Sequence, residues 1–69
     1  MNKIDDWRIA DWCEKYTHLM RLRTVYNRKG EKENAARLQA EMDGMRFALW
    51  TLAGYIPVND GEKIIVAKP

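Results

Sequence analysis

Apolar side chains in the second half of the chain recur at alternating spacings of three and four residues. The members of this stripe are Ala35, Leu38, Met42, Met45, Leu49 and Leu52. Such spacing places them along one side of an α-helix. Gly54 follows the last of them and Pro57 comes soon after, and both residue types favour the end of a helix. We therefore predict a helix from about residue 31 to residue 53.

A second strip of the same helix consists of small residues at intervals of four: Ala36, Ala40, Gly44 and Ala48. Small side chains allow the backbone of another helix to approach closely. A chain of 69 residues is too short to cover both strips, because small domains bury only a modest share of their surface. We therefore expect the protein to be oligomeric and predict an interface between copies at Ala40, Gly44, Phe47 and Ala48.

The first half of the chain predicts another long helix. Asn2 is a suitable N-cap, with Asp5 three residues later, and the pattern runs without Pro or Gly to about Arg28. Gly30 favours a break after it. The apolar arc of this helix is wider than one neighbouring helix can bury, and Trp7 and Val25 lie outside it. Two long helices with a short connection predict an antiparallel hairpin.

The last fifteen residues change to a β pattern. Tyr55 to Val58 and Lys63 to Ala67 read as short strands, and Asp60-Gly61 between them is a typical hairpin turn. Pro57 restricts the first strand to an edge, since proline cannot donate to a ladder. The predicted fold is mainly α, with a helical hairpin over residues 1–54 and a C-terminal β-hairpin or tail over residues 55–69 of the same domain.

The amino-acid composition limits the classes of protein to which the chain can belong. Hydrophobic residues make up 46% and charged residues 32%, as in a folded domain. One cysteine and one histidine leave neither a disulfide within the chain nor a typical zinc site, so we expect no metal and no cofactor. The lone Cys13 and the lack of a signal peptide favour a cytoplasmic setting. The uncharged run from Phe47 to Val58 is too short to span a membrane.

Catalytic groups are sparse. His18 has one acid at helical spacing, Glu14, and such a pair is usually a surface contact rather than a general base. The sequence contains no phosphate-binding glycine loop and no nucleophile motif. We therefore predict that the protein is not an enzyme.

Basic and aromatic residues alternate near the end of the first helix, and this suggests one hypothesis of function. Arginine and tyrosine together can contact a phosphate and stack on a base. An anionic ligand, a nucleotide or a nucleic acid, would then bind in a pocket between protomers. The ligand-binding candidates are Arg21, Arg23, Tyr26, Arg28 and Lys29. The alternative is that these residues form an ordinary solvated helix surface.

The leading hypothesis is a module for protein–protein interaction, acting as a homo-oligomer on an unidentified partner protein. Surplus apolar surface and three tryptophans motivate it, since tryptophan is enriched at interface hot spots. Small helical chains are frequent among bacteriophage proteins that disable host factors, so inhibition is one form it could take. The partner-binding candidates are Trp7, Arg23, Val25, Ile64 and Val66, the last two on a strand edge.

Three further expectations concern side chains inside the fold. We expect Trp12 and Trp50 to be core residues, because small cores gain buried area from tryptophan. Arg23 falls inside the apolar arc of the first helix. Its structural alternative to partner binding is therefore an ion pair with Asp43 or Glu41, either of the second helix or of another protomer.

Overall fold

The computed structural model describes residues 6–69 and shows two long helices followed by a two-stranded antiparallel sheet. The elements are α1 (Asp6–Arg28), α2 (Lys32–Ala53), β1 (Ile56–Asn59) and β2 (Ile64–Ala67). The predicted helical hairpin and C-terminal β-hairpin are confirmed. The proposed cap of the first helix, at Asn2 and Asp5, lies outside the described residues.

Glycines end both helices, as the sequence predicts. Gly30 has φ 77° between α1 and α2, and Gly54 has φ 69° just after Ala53. The left-handed conformation is open to glycine because it lacks Cβ. The N–H of Gly54 donates to the carbonyl of Trp50 at 2.9 Å, which satisfies one of the last helical carbonyls. The chain therefore turns back sharply at both points.

Side-chain oxygens of two turn residues accept backbone hydrogen bonds that stabilise the β-hairpin. Asn59 Oδ1 accepts the N–H of Gly61 at 2.9 Å, and Asp60 Oδ1 accepts those of Glu62 and Lys63 at 3.0 Å each. Gly61 has φ 102°, which other residues rarely adopt. These bonds fix the loop length and so the strand register, in which Ile56 opposes Ala67 and Asn59 opposes Ile64.

The core forms where α1, α2 and β2 meet. Tyr16, Met42 and Ile64 are 6%, 2% and 6% exposed and form one cluster. Trp12 packs against this cluster and stacks on Tyr16, with ring centroids 4.8 Å apart. The buried row continues along α2 through Ala35, Leu38 and Leu49. The bulky stripe of the second helix is therefore the inner side of α2 over most of its length.

Trp50 and Leu52, near the C-terminal end of α2, lie outside this core. The expectation that Trp50 is a core residue is wrong, since it is 53% exposed. Its position is about 80° around α2 from Met42, at roughly 100° per residue, so it lies on the flank of the buried row. Leu52, at the end of the stripe, is 70% exposed. The stripe continues past the part of α2 that its neighbours cover.

Ile64 and Ile65 provide a matched test of this core. Ile64 is 6% exposed and Ile65 is 37% exposed, although they are adjacent in the same strand. Ile64→Ala should lower the free energy of unfolding by about 2–4 kcal/mol, because it leaves a cavity. Ile65→Ala should cost roughly 1 kcal/mol. Urea denaturation followed by circular dichroism would measure both, and equal losses would contradict the placement of Ile64.

Candidate functional site

The largest exposed apolar side chains of α2 lie in its C-terminal half. Phe47 is 71% exposed and Leu52 70%. Phe47 lies on the back of the helix, about 140° from Met42. The small residues Ala40, Gly44 and Ala48 lie on the same side and are also exposed. We call Ala40, Gly44, Phe47 and Ala48 the α2 outer face. Trp50 and Leu52 lie on its two flanks, and the exposed Thr51 lies between them.

No packing contact among the described residues requires a glycine at position 44. A Cβ built at Gly44 would meet nothing within 4 Å, and its φ is not among the positive ones. Glycine inside a helix destabilises it by about 1 kcal/mol relative to alanine. The chain therefore carries a cost at this position that its own described residues do not explain.

The partner-binding candidates on α1 do not form one patch. Trp7 is 65% exposed and Val25 40%, and both lie on the side of α1 away from Tyr16. They are separated by about five helical turns, roughly 27 Å. The guanidinium of Arg8 lies 5.2 Å from the ring centroid of Trp7, a surface cation–π contact. A single small partner surface would not reach both Trp7 and Val25.

The guanidinium of Arg23 forms a hydrogen bond between the two helices. Its guanidinium donates to Gln39 Oε1, and Gln39 Nε2 donates to Asp43 Oδ1 at 2.9 Å. Arg46 Nη2 donates to the same oxygen at 2.8 Å. Arg23 thus reaches Asp43, one of the two expected acids, through a neutral glutamine instead of directly. A charged group within an apolar arc needs such partners.

The two candidates on β2 differ in position. The side chain of Ile64 belongs to the core, so Ile64 could contact a partner only through its backbone at the strand edge. Val66 is half-buried on the same face of the strand, because side chains alternate between faces. The exposed face of the β-hairpin carries Ile56, Val58 and Ile65, at 38%, 36% and 37%. A contact surface on the hairpin would therefore use these side chains or the free backbone edge.

The candidates for binding an anion are not gathered in one chain. Arg23 is bonded to Gln39 and Tyr26 is half-buried. Arg21, Arg28 and Lys29 are exposed, but Lys29 lies about 100° around the helix from Arg28. A pocket for a nucleotide would need residues from more than one copy.

An open groove between α1 and β2 was not anticipated from the sequence. Its apolar lining includes Ile9, Ala10, Cys13, Thr17, Ile64 and Val66. Charged side chains lie along its margin, among them Asp6 and Arg21. The small residues Ala10, Cys13 and Thr17 are the sequence signal that could have indicated it. They lie on the flank of α1 that turns away from α2.

The ionisable groups of this region do not indicate catalysis. Burial raises the pKa of the Cys13 thiol, which keeps it protonated and weakly nucleophilic. Backbone N–H bonds from Lys63 and Glu62 lower the pKa of the exposed Asp60 carboxyl, as expected for a turn acid. Within residues 6–69 there is no group of three His, Cys, Asp or Glu residues placed to hold a metal.

Comparison with known proteins gives no relatives. No family model matches the sequence, and no curated protein or solved structure is significantly similar to it. Over residues 6–69, neither helix has the length and apolar character needed to cross a membrane.

Proposed function

We propose that this chain is a small, non-enzymatic protein–protein interaction module that associates with copies of itself through the α2 outer face. The observation that carries the proposal is the exposure of Phe47, Trp50 and Leu52 around one end of α2. Together they present on the order of 400 Å² of apolar surface. Patches of this size are often functional, and contact with another protein is one such function.

The small side chains next to Phe47 support a helix as the opposing surface. Ala40, Gly44 and Ala48 leave the backbone of α2 uncovered, so a second α2 could pack closely against it. Phe47 and Trp50 would then supply the buried aromatic contacts that interfaces favour. Two copies would bury on the order of 1,000 Å², which is the lower range for specific association.

The same chain would bind an unidentified protein through apolar surface that self-association leaves free. Trp7, Val25 and the outer face of the β-hairpin are separate from the α2 outer face. Occupying a partner's surface in this way inhibits the partner, which is the form of action we favour. A reducing, cytoplasmic setting belongs to this proposal, because the chain has a single, half-buried cysteine and no disulfide.

Phe47→Asp tests the self-association. We expect the variant to have a lower native mass than the wild type at equal concentration. The dissociation constant should rise at least about tenfold, since a buried apolar contact becomes a desolvated charge. Sedimentation velocity over a concentration series would measure this.

Val25→Asp is the matched control, because Val25 is also an exposed apolar residue but lies on α1. Its native mass should equal that of the wild type, and circular dichroism should show intact helices for both variants. An unchanged mass for Phe47→Asp would contradict the proposed interface.

Gly44→Ala separates folding from association. At low concentration it should raise the free energy of unfolding of the monomer by about 0.5–1 kcal/mol, because alanine favours the helix and the site has room for a methyl group. Association of the same variant should weaken, since the added methyl group holds the two backbones apart. Thermal unfolding and sedimentation equilibrium would measure the two effects. Tighter association would contradict close approach at Gly44.

Capture of an anionic ligand is our second proposal. It is favoured by Arg21, Arg28 and Lys29, which are exposed and make no ion pair within residues 6–69. An assembly could bring the ends of several α1 helices together and form a basic pocket that also contains Tyr26 and Arg23.

A fluorescein-labelled single-stranded oligonucleotide would test the second proposal. Polarisation should show binding at low salt that weakens roughly 20-fold between about 50 and 200 mM salt if three phosphates are contacted. Arg21→Glu with Arg28→Glu should abolish it, whereas Glu33→Gln, a change of charge on α2, should not. Absence of binding at low salt would exclude this ligand class.

A further inference from the structure

The two free edges of the β-hairpin are not equivalent. The N–H of Asp60 donates to the carbonyl of Lys63 at 3.1 Å, and bonded pairs alternate along an antiparallel ladder. Val58–Ile65 is therefore a bonded pair, and the backbone groups of Ile64 and Val66 point away from β1. On the opposite edge the outward positions are Pro57 and Asn59, and Pro57 has no N–H. Only β2 offers a continuous edge of donors and acceptors to another strand.

The helix beside this edge leaves room for a neighbour. Ala10, Cys13 and Thr17 form the flank of α1 along the groove, and their side chains are small. The hydroxyl of Thr17 donates to the carbonyl of Cys13 at 2.7 Å, so it needs no further acceptor. A second helix could pack closely on this flank without burying an unsatisfied hydroxyl donor.

We propose that a second copy of the chain binds here, by pairing β2 with the β2 of that copy about a twofold axis at Ile65. In this antiparallel register Ile64 of each copy opposes Val66 of the other. These pairs use the outward backbone groups and form about four hydrogen bonds between the copies. The two Ile65 side chains meet across the axis, and the two hairpins become one four-stranded sheet.

Charge complementarity favours a second copy and this register. Glu62 lies in the turn before β2 and Lys68 lies just after β2. With Ile65 on the axis, Glu62 of each copy would lie next to Lys68 of the other, so two pairs of opposite charge would flank the contact. Both side chains are exposed, and neither makes an ion pair within residues 6–69. Sliding one β2 along the other would separate both charge pairs, because each residue would then lie opposite a different one.

The flank of α1 is compatible with the same axis. Cys13 packs against the cluster that contains Ile64, and both residues line the groove, so we place the axis through Ile65 near the level of Cys13. Two antiparallel α1 helices related by this axis would bring Asp6 of each copy near Arg21 of the other. The same twofold axis would thus bring opposite charges together both between the two helices and between the two strands.

This inference extends the proposed self-association but uses a surface separate from the α2 outer face. Both contacts are isologous, meaning that each joins the same patch of two copies. The β2 contact closes with two copies because the Pro57 edge cannot continue the sheet. Loss of one contact should therefore leave the other intact, and the two proposals can fail independently.

A charge-reversal series in the Phe47→Asp background tests the β2 contact. Phe47→Asp alone should remain a dimer by sedimentation equilibrium. Adding Glu62→Lys or Lys68→Glu should weaken the dimer at least about tenfold at low salt, because two attractive pairs become repulsive. Combining Glu62→Lys with Lys68→Glu should restore it. A monomeric Phe47→Asp chain, unaffected single variants or a double variant that is not restored would each overturn the proposal.

Two further measurements keep the test independent of Phe47→Asp. Val66→Pro in the wild-type background removes an outward N–H, as Pro57 does on β1, and should lower the native mass while the helices persist. A short bismaleimide should link Cys13 to Cys13 in the wild type, not in Glu62→Lys, and again in the double variant. Labelling of Cys13 by a monofunctional maleimide without any linked dimer would contradict the axis.

Discussion

The packing of Tyr16, Met42 and Ile64 joins the three parts of this fold. Each residue comes from a different element, and all three are almost fully buried. The helical hairpin alone would leave one side of Tyr16 and Met42 open to water. A two-stranded sheet alone is marginal in water. The packing of Ile64 against the helices therefore stabilises the β-hairpin. It also covers the open side of the helical hairpin.

This arrangement also decides which surface remains exposed. The cluster draws α1 and β2 to one side of α2, so the opposite side receives no cover. Phe47 and its small neighbours lie there, and Trp50 and Leu52 lie on the flanks. A chain of 69 residues has few alternatives, because its surface is large relative to its volume. The exposed apolar surface follows directly from placing the core where three elements can meet.

The sequence predicted the elements better than the surfaces. Gly30 and Gly54 gave the helix ends because only glycine adopts their left-handed backbone without strain, and Asp60-Gly61 gave the turn for a similar reason. Periodicity identified the buried stripe of α2, but it cannot tell where cover by other elements ends, so Trp50 was misplaced. Strand alternation left two possible faces for β2, and the packing of Ile64 decided between them.

Interactions between distant positions were harder to anticipate. Arg23 was expected to meet an acid directly, but Gln39 lies between it and Asp43. A polar contact of this kind depends on the rotation of α2 against α1, which no local pattern encodes. The groove beside Cys13 depends in the same way on where β2 lies over α1.

Pro57 relates the fold to the proposed assembly. It occupies an outward position of β1, so its missing N–H does not disturb pairing with Val66 but does block that edge. Edge strands tend to recruit further strands unless something prevents it. A β-hairpin with two open edges could add further copies to its sheet without limit. A β-hairpin with one open edge can pair with only one other copy, which closes the sheet. A proline that is neutral within the chain would therefore have its physical effect on the association that we propose.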